Sequence, residues 1–364
     1  MSFSKLLFLI LSACLVTNTF ASNNSSGDKE FDVSEMIMHH VKDAHEWHLW
    51  GSGHDGVSIY LPVILLDNGL KLFSSSDLYH GTETSIIDHS GKTHHYQKGV
   101  HSAQGYAIYH EKIYKLNDKG ELEFHDGHPK NAKPMDFSIT KNVTSLFIGA
   151  LIILLLMLSM SSFYKKHGAV APKGIAKFLE PFIVVIRDDI AKENIDEHKY
   201  HKYVPYLLTI FFFIWINNLL GLVPIFPGGA NLTGNITITF FLAFCTLLIT
   251  LFSSNKNYWK HIFATPGVPL ALMPIMIPIE IVGIFTKPFA LMIRLFANIT
   301  AGHIIILALI SIIFINKNMA WGALSVPMAL FISVLELLVA VLQAYLFALL
   351  SALFIGAAVE EAHH

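Results

Sequence analysis

The sequence predicts an all-α polytopic membrane protein with five transmembrane helices, the last two long and strongly inclined as an antiparallel hairpin, plus a small β-rich N-terminal periplasmic domain. Three observations carry this expectation. Of 364 residues, 53% are apolar and only 14% charged, against about 25% charged in a typical soluble domain. From Pro205 to Asn255 there is no Asp, Glu, Lys, Arg or His, and from Ile262 to Val359 only Glu280, Lys287, Arg294, His303, Lys317 and Glu336 interrupt the apolar run. Residues 22 to 140 are different: polar, with strand and turn signals. A single soluble core and a disordered chain are both excluded. A net charge of -2 gives no basic surface for nucleic acid.

Residues 1 to 21 read as a signal peptide, with Lys5, the apolar run Leu6 to Val16, and Thr19-Phe20-Ala21 as the cleavage site. Processing as a lipoprotein at Cys14 is the alternative. The two cysteines, Cys14 and Cys245, both lie in apolar runs and give no disulfide framework.

Residues 22 to 140 form the His-rich periplasmic domain, holding 13 of the 20 histidines. Val57 to Leu66, Asp67-Asn68-Gly69 and Leu70 to Phe73 read as a hairpin. Tyr106 to Leu116, Asn117-Asp118-Lys119-Gly120 and Glu121 to Phe124 read as a second, and Pro129 to Pro134 as the linker to the membrane part. Among His39, His40, His45 and His48, the last two are three apart. On a helix they would share a face at a metal-ligand spacing, and the alternative is a merely polar surface. Neither a metal nor a cofactor is assigned.

Residues 141 to 364 are the transmembrane domain. Val143 to Tyr164 is the first span, and Lys165-Lys166-His167 and further lysines after it place the next connection in the cytoplasm. Ile175 to Ile190 suits an interfacial helix. Tyr203 to Val223 returns outward, Ile236 to Ser254 inward, Leu270 to Ile315 outward and about Leu324 to Val359 inward. The N-terminus is thus periplasmic and the C-terminus cytoplasmic. The fourth span is more than twice the ~20 residues that a bilayer needs. Either the last two helices are strongly inclined, or Pro274, Pro278 and Pro288 break the first of them.

An arginine in mid-membrane costs about 2.5–3.5 kcal/mol on insertion scales and is functional by default. At ~100° per residue, Arg294, Asn298 and Glu280 share a face, while His303 points the opposite way. On the last helix, Glu336 and Gln343 share a stripe. In an antiparallel pair, residues at equal depth have numbers of constant sum. One fold point near Asn318 therefore sets His303 beside Glu336 and Arg294 beside Gln343.

These residues carry a resemblance. PFALMIRLFANITAGH (Pro288 to His303) resembles the arginine segment of subunit a of the F-type ATP synthase membrane sector. ELLVAVLQAYLFALL (Glu336 to Leu350) resembles its last helix, and NLLGLVP (Asn218 to Pro224) its second-span motif. The resemblance covers about residues 140 to 359. Met292 departs from it, standing where a small residue is common. The pair His303/Glu336 looks like the reciprocal of the arrangement common in relatives.

The resemblance implies a proton-translocating stator subunit in the bacterial inner membrane, beside a ring of proteolipid c subunits and held by peripheral-stalk b subunits. Arg294 would face the ring carboxylates. Asn298, His303, Glu336 and Gln343 would shape the periplasmic half-channel, with Glu280 nearer the cytoplasmic end. No GxxxxGK[ST] phosphate loop is present, so the chain is not an ATPase by itself. The alternative is a secondary transporter using Arg294 for an anionic substrate, although no inverted repeat is visible. The His-rich domain lies outside the resemblance, and removing residues 30 to 130 is expected to spare the channel chemistry.

Overall fold

The computed structural model describes residues 42–50, 57–88, 91, 93–125, 127–168, 170–223, 228–263, 269, 272–316 and 318–360. The expected signal peptide, Cys14, His39 and His40 lie outside the described residues.

The first region is built of short antiparallel strands: β1 (Glu46–Trp50), β2 (Val57–Tyr60), β3 (Pro62–Leu66), β4 (Leu70–Ser74), β5 (Thr82–Ile87), β6 (Thr93–Lys98), β7 (Tyr106–Tyr109), β8 (Lys112–Lys115), β9 (Phe124–His125), β10 (His128–Pro129) and β11 (Met135–Asp136). They pair as β1-β2, β10-β9, β11-β3-β4 and β5-β6-β7-β8. The β3-β4 hairpin turns through Asp67-Asn68-Gly69 as expected, with Asn68 and Gly69 both at positive φ (48° and 130°).

The second expected hairpin is corrected. β7 folds back on β8 at His110-Glu111, with Tyr109 opposite Lys112. Both turn residues have positive φ, 48° and 64°, as a two-residue hairpin loop requires. Asn117 to Gly120 does turn, Gly120 N–H donating to Asn117 C=O at 2.8 Å, but the chain beyond it pairs locally as β9-β10. Nor is the stretch up to Pro134 a plain linker, since β11 returns at once to pair with β3. β7 is buried on both faces because its residues alternate between two cores. Tyr106 and Ile108 pack with Val63, Leu65, Phe73 and Leu78. Ala107 and Tyr109 pack with Tyr96, Tyr114, Leu122 and Phe124.

Helices follow from residue 141: α1 (Lys141–His167), α2 (Ile175–Val185), α3 (Tyr200–Leu222), α4 (Ile236–Ser253), α5 (Lys256–Phe263), α6 (Met273–Ile315) and α7 (Gly322–Val359). Five of these, α1, α3, α4, α6 and α7, are long and apolar enough to cross a membrane. The Thr140 hydroxyl caps α1 by accepting from Val143 N–H at 3.4 Å, and Asn235 caps α4 through Thr237 N–H at 3.0 Å. The expected interfacial helix is α2 continuing as a π-helical segment, Ile186–Lys192. Ile186, Ile190 and Ala191 of that segment are buried with Leu207, Phe211 and Ile355.

The 43-residue α6 runs unbroken through Pro278 and Pro288, so the prolines do not divide it. At 1.5 Å per residue it is roughly 65 Å long, and α7 roughly 57 Å. The two helices pack antiparallel. Ser325 Oγ donates to Leu309 C=O near the turn. His303 meets Glu336 midway, and Lys287 Nζ lies 5.9 Å from the Phe354 ring centre at the far end. The last carbonyls of α7 are satisfied there, Val359 C=O accepting from Asn255 Nδ2 at 2.8 Å and from Lys199 Nζ at 3.2 Å.

Candidate functional site

The intramembrane polar residues sort themselves by which face of α6 they occupy. The stripe Ile284, Pro288, Leu291, Leu295 and Ile299 is buried, following the three- and four-residue spacing of one helix face. That stripe fixes the rotation of everything else. Arg294 and Asn298 emerge beside it and are exposed, and Glu280, about four turns before Arg294, is half-buried.

His303 is brought to Glu336 as the fold-point argument expected: Nε2 and Oε1 are 3.7 Å apart. Glu336 is buried and neither of its carboxyl oxygens has a hydrogen-bond partner. The carboxyl packs against the bare Cα of Gly302, where an added Cβ would stand 2.7 Å from Oε1.

Arg294 and Gln343 are not joined. Gln343 is 4% exposed and buried, whereas Arg294 points out of the chain, and no hydrogen bond or ion pair links them among the described residues. Equal depth was legible, but rotation was not. Packing the leucine stripe against α7 turns Arg294 about 100° away from it.

Further buried polar groups lie on α1, α3, the loop after α3, and α6. Asn218 of α3 accepts from the Thr233 hydroxyl, and Asn217 Nδ2 donates to Phe213 C=O at 2.8 Å. Ser145 Oγ, Asn217 Oδ1, Asn218 Nδ2, Asn231 Nδ2 and Thr300 Oγ1 have no partner, and such buried atoms are ordinarily satisfied by water. Gly221 sits where a Cβ would be 3.9 Å from His303 Nε2 and 3.2 Å from Ala230 C=O. Helix α3, the loop after it and α6 therefore converge on the imidazole. Sequence reading did not single out Ser145, Asn217, Asn231, Thr300 or Gly302. Small and amide residues inside apolar runs were their only signal.

The proposed metal spacing is corrected in its premise. His48 lies on strand β1, not on a helix, and bonds Ser58 Oγ at 3.1 Å, while His45 bonds Asp136 Oδ2 at 3.0 Å. Among the described residues, no group of three or more potential metal ligands gathers.

Residues 143–356 match the family described as ATP synthase A chain. Residues 36–137 match a domain of unknown function (DUF8433). The chain is 41% identical over 319 residues to ATP synthase subunit a 2 of Prosthecochloris aestuarii, an alignment spanning 84% of this chain and 93% of that one. It is 51% identical over 230 residues to ATP synthase subunit a 2 of Chlorobaculum tepidum (61% and 64%). With ATP synthase subunit a of Chloroherpeton thalassium it shares 48% over 235 residues (63% and 69%).

Proposed function

The chain belongs to the ATP synthase A chain family, and from that premise we propose that Arg294 faces the carboxylates of a rotating c-subunit ring while His303 and Glu336 deliver protons to it. The protein is a multi-pass membrane protein, a proton-translocating stator subunit of the membrane sector without catalysis of its own.

The observation that carries the arginine's role is its isolation. Arg294 is exposed near the middle of a helix more than twice the bilayer thickness, with no counter-ion in its own chain among the described residues. An unpaired guanidinium in hydrocarbon is expensive and demands a partner. A membrane-embedded carboxylate of another subunit supplies one. Beside Arg294 that carboxylate is held ionised, because an opposite charge nearby favours the charged form. The same fixed positive charge repels a proton crossing directly between two offset half-channels.

In this reading Glu336, His303, Asn298 and Gln343 shape the half-channel on the side of the β-rich domain, taken as the periplasmic side of a bacterial inner membrane. Glu280 serves the cytoplasmic side. Helices α6 and α7, too long to stand upright, incline along the ring, with b subunits bracing the assembly. Each proton crossing 100 mV supplies about 2.3 kcal/mol, so several pass for each ATP made.

The test is ATP-driven proton uptake in inverted membrane vesicles, comparing wild type with Arg294→Ala at equal assembly. Loss of uptake with ATP hydrolysis retained is the expected result. Unchanged uptake would make Arg294 structural and return the transporter reading.

A further inference from the structure

We propose that Trp47 is a positioning residue for proton transfer at His303, and that the β-rich region acts through it as a brace holding the loop after α3 against the imidazole. The proposal rests on the proton-path reading above. It departs from the expectation that residues 30 to 130 are dispensable to the channel.

The brace is the segment Asp43 to Trp47, which is fixed at both ends and in the middle. At its start Asp43 Oδ1 accepts from the Asn142 backbone N–H at 3.0 Å, and Oδ2 accepts from the Thr140 hydroxyl at 2.8 Å. Ala44 C=O accepts from Lys141 N–H at 2.9 Å. Both residues are thereby tied to the first turn of α1. Midway, His45 bonds Asp136 Oδ2 at 3.0 Å, and its C=O accepts from Leu61 N–H at 3.2 Å. At the far end Trp47 lies opposite Ile59 in the β1-β2 pair, and its indole N–H donates to Gly228 C=O at 3.1 Å. Ala44, His45 and Trp47 are all buried. Four residue steps reach at most about 14 Å, so a segment this short and this often tied has little freedom to swing.

The loop that Trp47 grips is part of the wall around the imidazole. Gly228 is pressed on the end of α3, where an added Cβ would meet the Val223 and Leu220 carbonyl oxygens. Gly229 N–H donates to Leu220 C=O at 3.1 Å. Two residues beyond Gly228, the fully buried Ala230 sets its C=O 3.2 Å from where a Gly221 Cβ would stand, and that same point is 3.9 Å from His303 Nε2. The loop then closes on α3 again, with the Thr233 hydroxyl donating to Asn218 Oδ1. Trp47, Gly228, Ala230, Gly221 and His303 thus form one contiguous series of contacts from the β-rich region to the proton-carrying pair.

A buried carbonyl deprived of its donor costs more than the bond itself was worth, so Gly228 C=O seeks another donor or water when the indole N–H is removed. The loop moves with it, and Ala230 is the part of the loop that meets the imidazole wall. The charged groups facing His303 are Glu336 of α7, 3.7 Å away, and Lys141 at the start of α1. A displaced loop removes neither of them and changes the space in which the imidazole exchanges its proton.

The test is passive proton conductance of the assembled complex in inverted vesicles stripped of the ATP-hydrolysing sector, driven by a potassium diffusion potential. The internal pH, on the side of the β-rich region, is varied. Trp47→Phe keeps an aromatic ring and loses the N–H. At equal assembly it is expected to conduct about tenfold less, short of the ~10²-fold that a 1 Å misplacement costs, and to move the pH midpoint of conductance. The midpoint decides: if it stays at the wild-type value the proposal is overturned, whether or not conductance falls, because the bond then serves packing alone. Should Trp47→Phe fail to assemble, Gly221→Ala displaces the same loop carbonyl from the helix side at ordinary contact distance from the imidazole, and an unmoved midpoint there overturns the proposal equally. His303→Gln in the same assay separates the two claims. If it conducts as wild type does, the proton-path reading falls and the brace with it. If it loses conductance while Trp47→Phe keeps the wild-type midpoint, only the brace falls.

Discussion

Replacing Gly302 by alanine should damage proton transport without unfolding the protein. A Cβ at that position would lie 2.7 Å from Glu336 Oε1 and 2.8 Å from its Cδ, whereas ordinary contact begins at 3.4 Å. The carboxyl must therefore retreat by about 0.7 Å, well short of the backbone shifts that make overpacking cost about 1–3 kcal/mol. The yielding atoms are the far end of a flexible side chain, so helix packing survives while the His303–Glu336 geometry does not. A misplacement of 1 Å at a reacting group costs about 10²-fold, which puts this variant at roughly 10- to 50-fold slower proton transfer. The assay is ATP-driven uptake in inverted vesicles at verified equal assembly. Gly283→Ala is the control, since a Cβ there meets nothing within 4 Å. Wild-type uptake by Gly302→Ala would refute the claim that this carboxyl position limits transfer.

Gly149→Ala should instead act on stability. Its Cβ would meet Asn217 Oδ1 at 2.5 Å, and the Asn217 amide is already tied to Phe213 C=O, so α1 and α3 must part at a cost of about 1–3 kcal/mol. Thermal unfolding in detergent reads this directly, and an unchanged Tm would contradict so close an approach. The β-rich region should lose stability in acid through Asp136. Burial raises its carboxyl, but hydrogen bonds from His45 and Ser138 outweigh that and hold it below the usual carboxylate range. The unfolded chain therefore binds the proton first, and the stabilisation, complete above the unfolded value, is lost as pH falls through the native one. Tryptophan fluorescence against pH should show this acid limb in the wild type and not in Asp136→Asn. Identical limbs would refute the assignment.

Much of the membrane architecture was legible because apolar length is a strong signal. Val143 to Tyr164 became Lys141–His167, and Ile236 to Ser254 became Ile236–Ser253, differences set by caps. The depth pairing of His303 with Glu336 also followed from one fold point. The failures share a cause, which is that they depend on contacts distant in sequence. The turn at His110-Glu111 lacks the usual glycine or asparagine, so the Asn117 to Gly120 signal drew the hairpin to the wrong place. The rotation of Arg294 away from Gln343 depends on which leucines meet α7. The bond from Trp47 to Gly228 spans 181 residues, and no local pattern announces it.

The same rotation explains why one helix can serve both sides of the proposed exchange. Nine residues separate Arg294 from His303, about half a turn in projection, so packing that draws the imidazole inward to Glu336 necessarily turns the guanidinium outward. Were both groups on one face, Arg294 would neutralise Glu336 within the chain and neither would be available to a neighbour. With them opposed, Glu336 keeps a carboxyl free of hydrogen bonds, and Arg294 keeps a charge with no counter-ion among the described residues, which the proposal gives to the ring. In the proposed mechanism a proton leaving Glu336 would round α6 to reach the ring and meet Arg294 before the opposite half-channel. On that proposal the barrier to leakage and the demand for a partner both follow from a single helical phase, set by Leu291, Leu295 and Ile299.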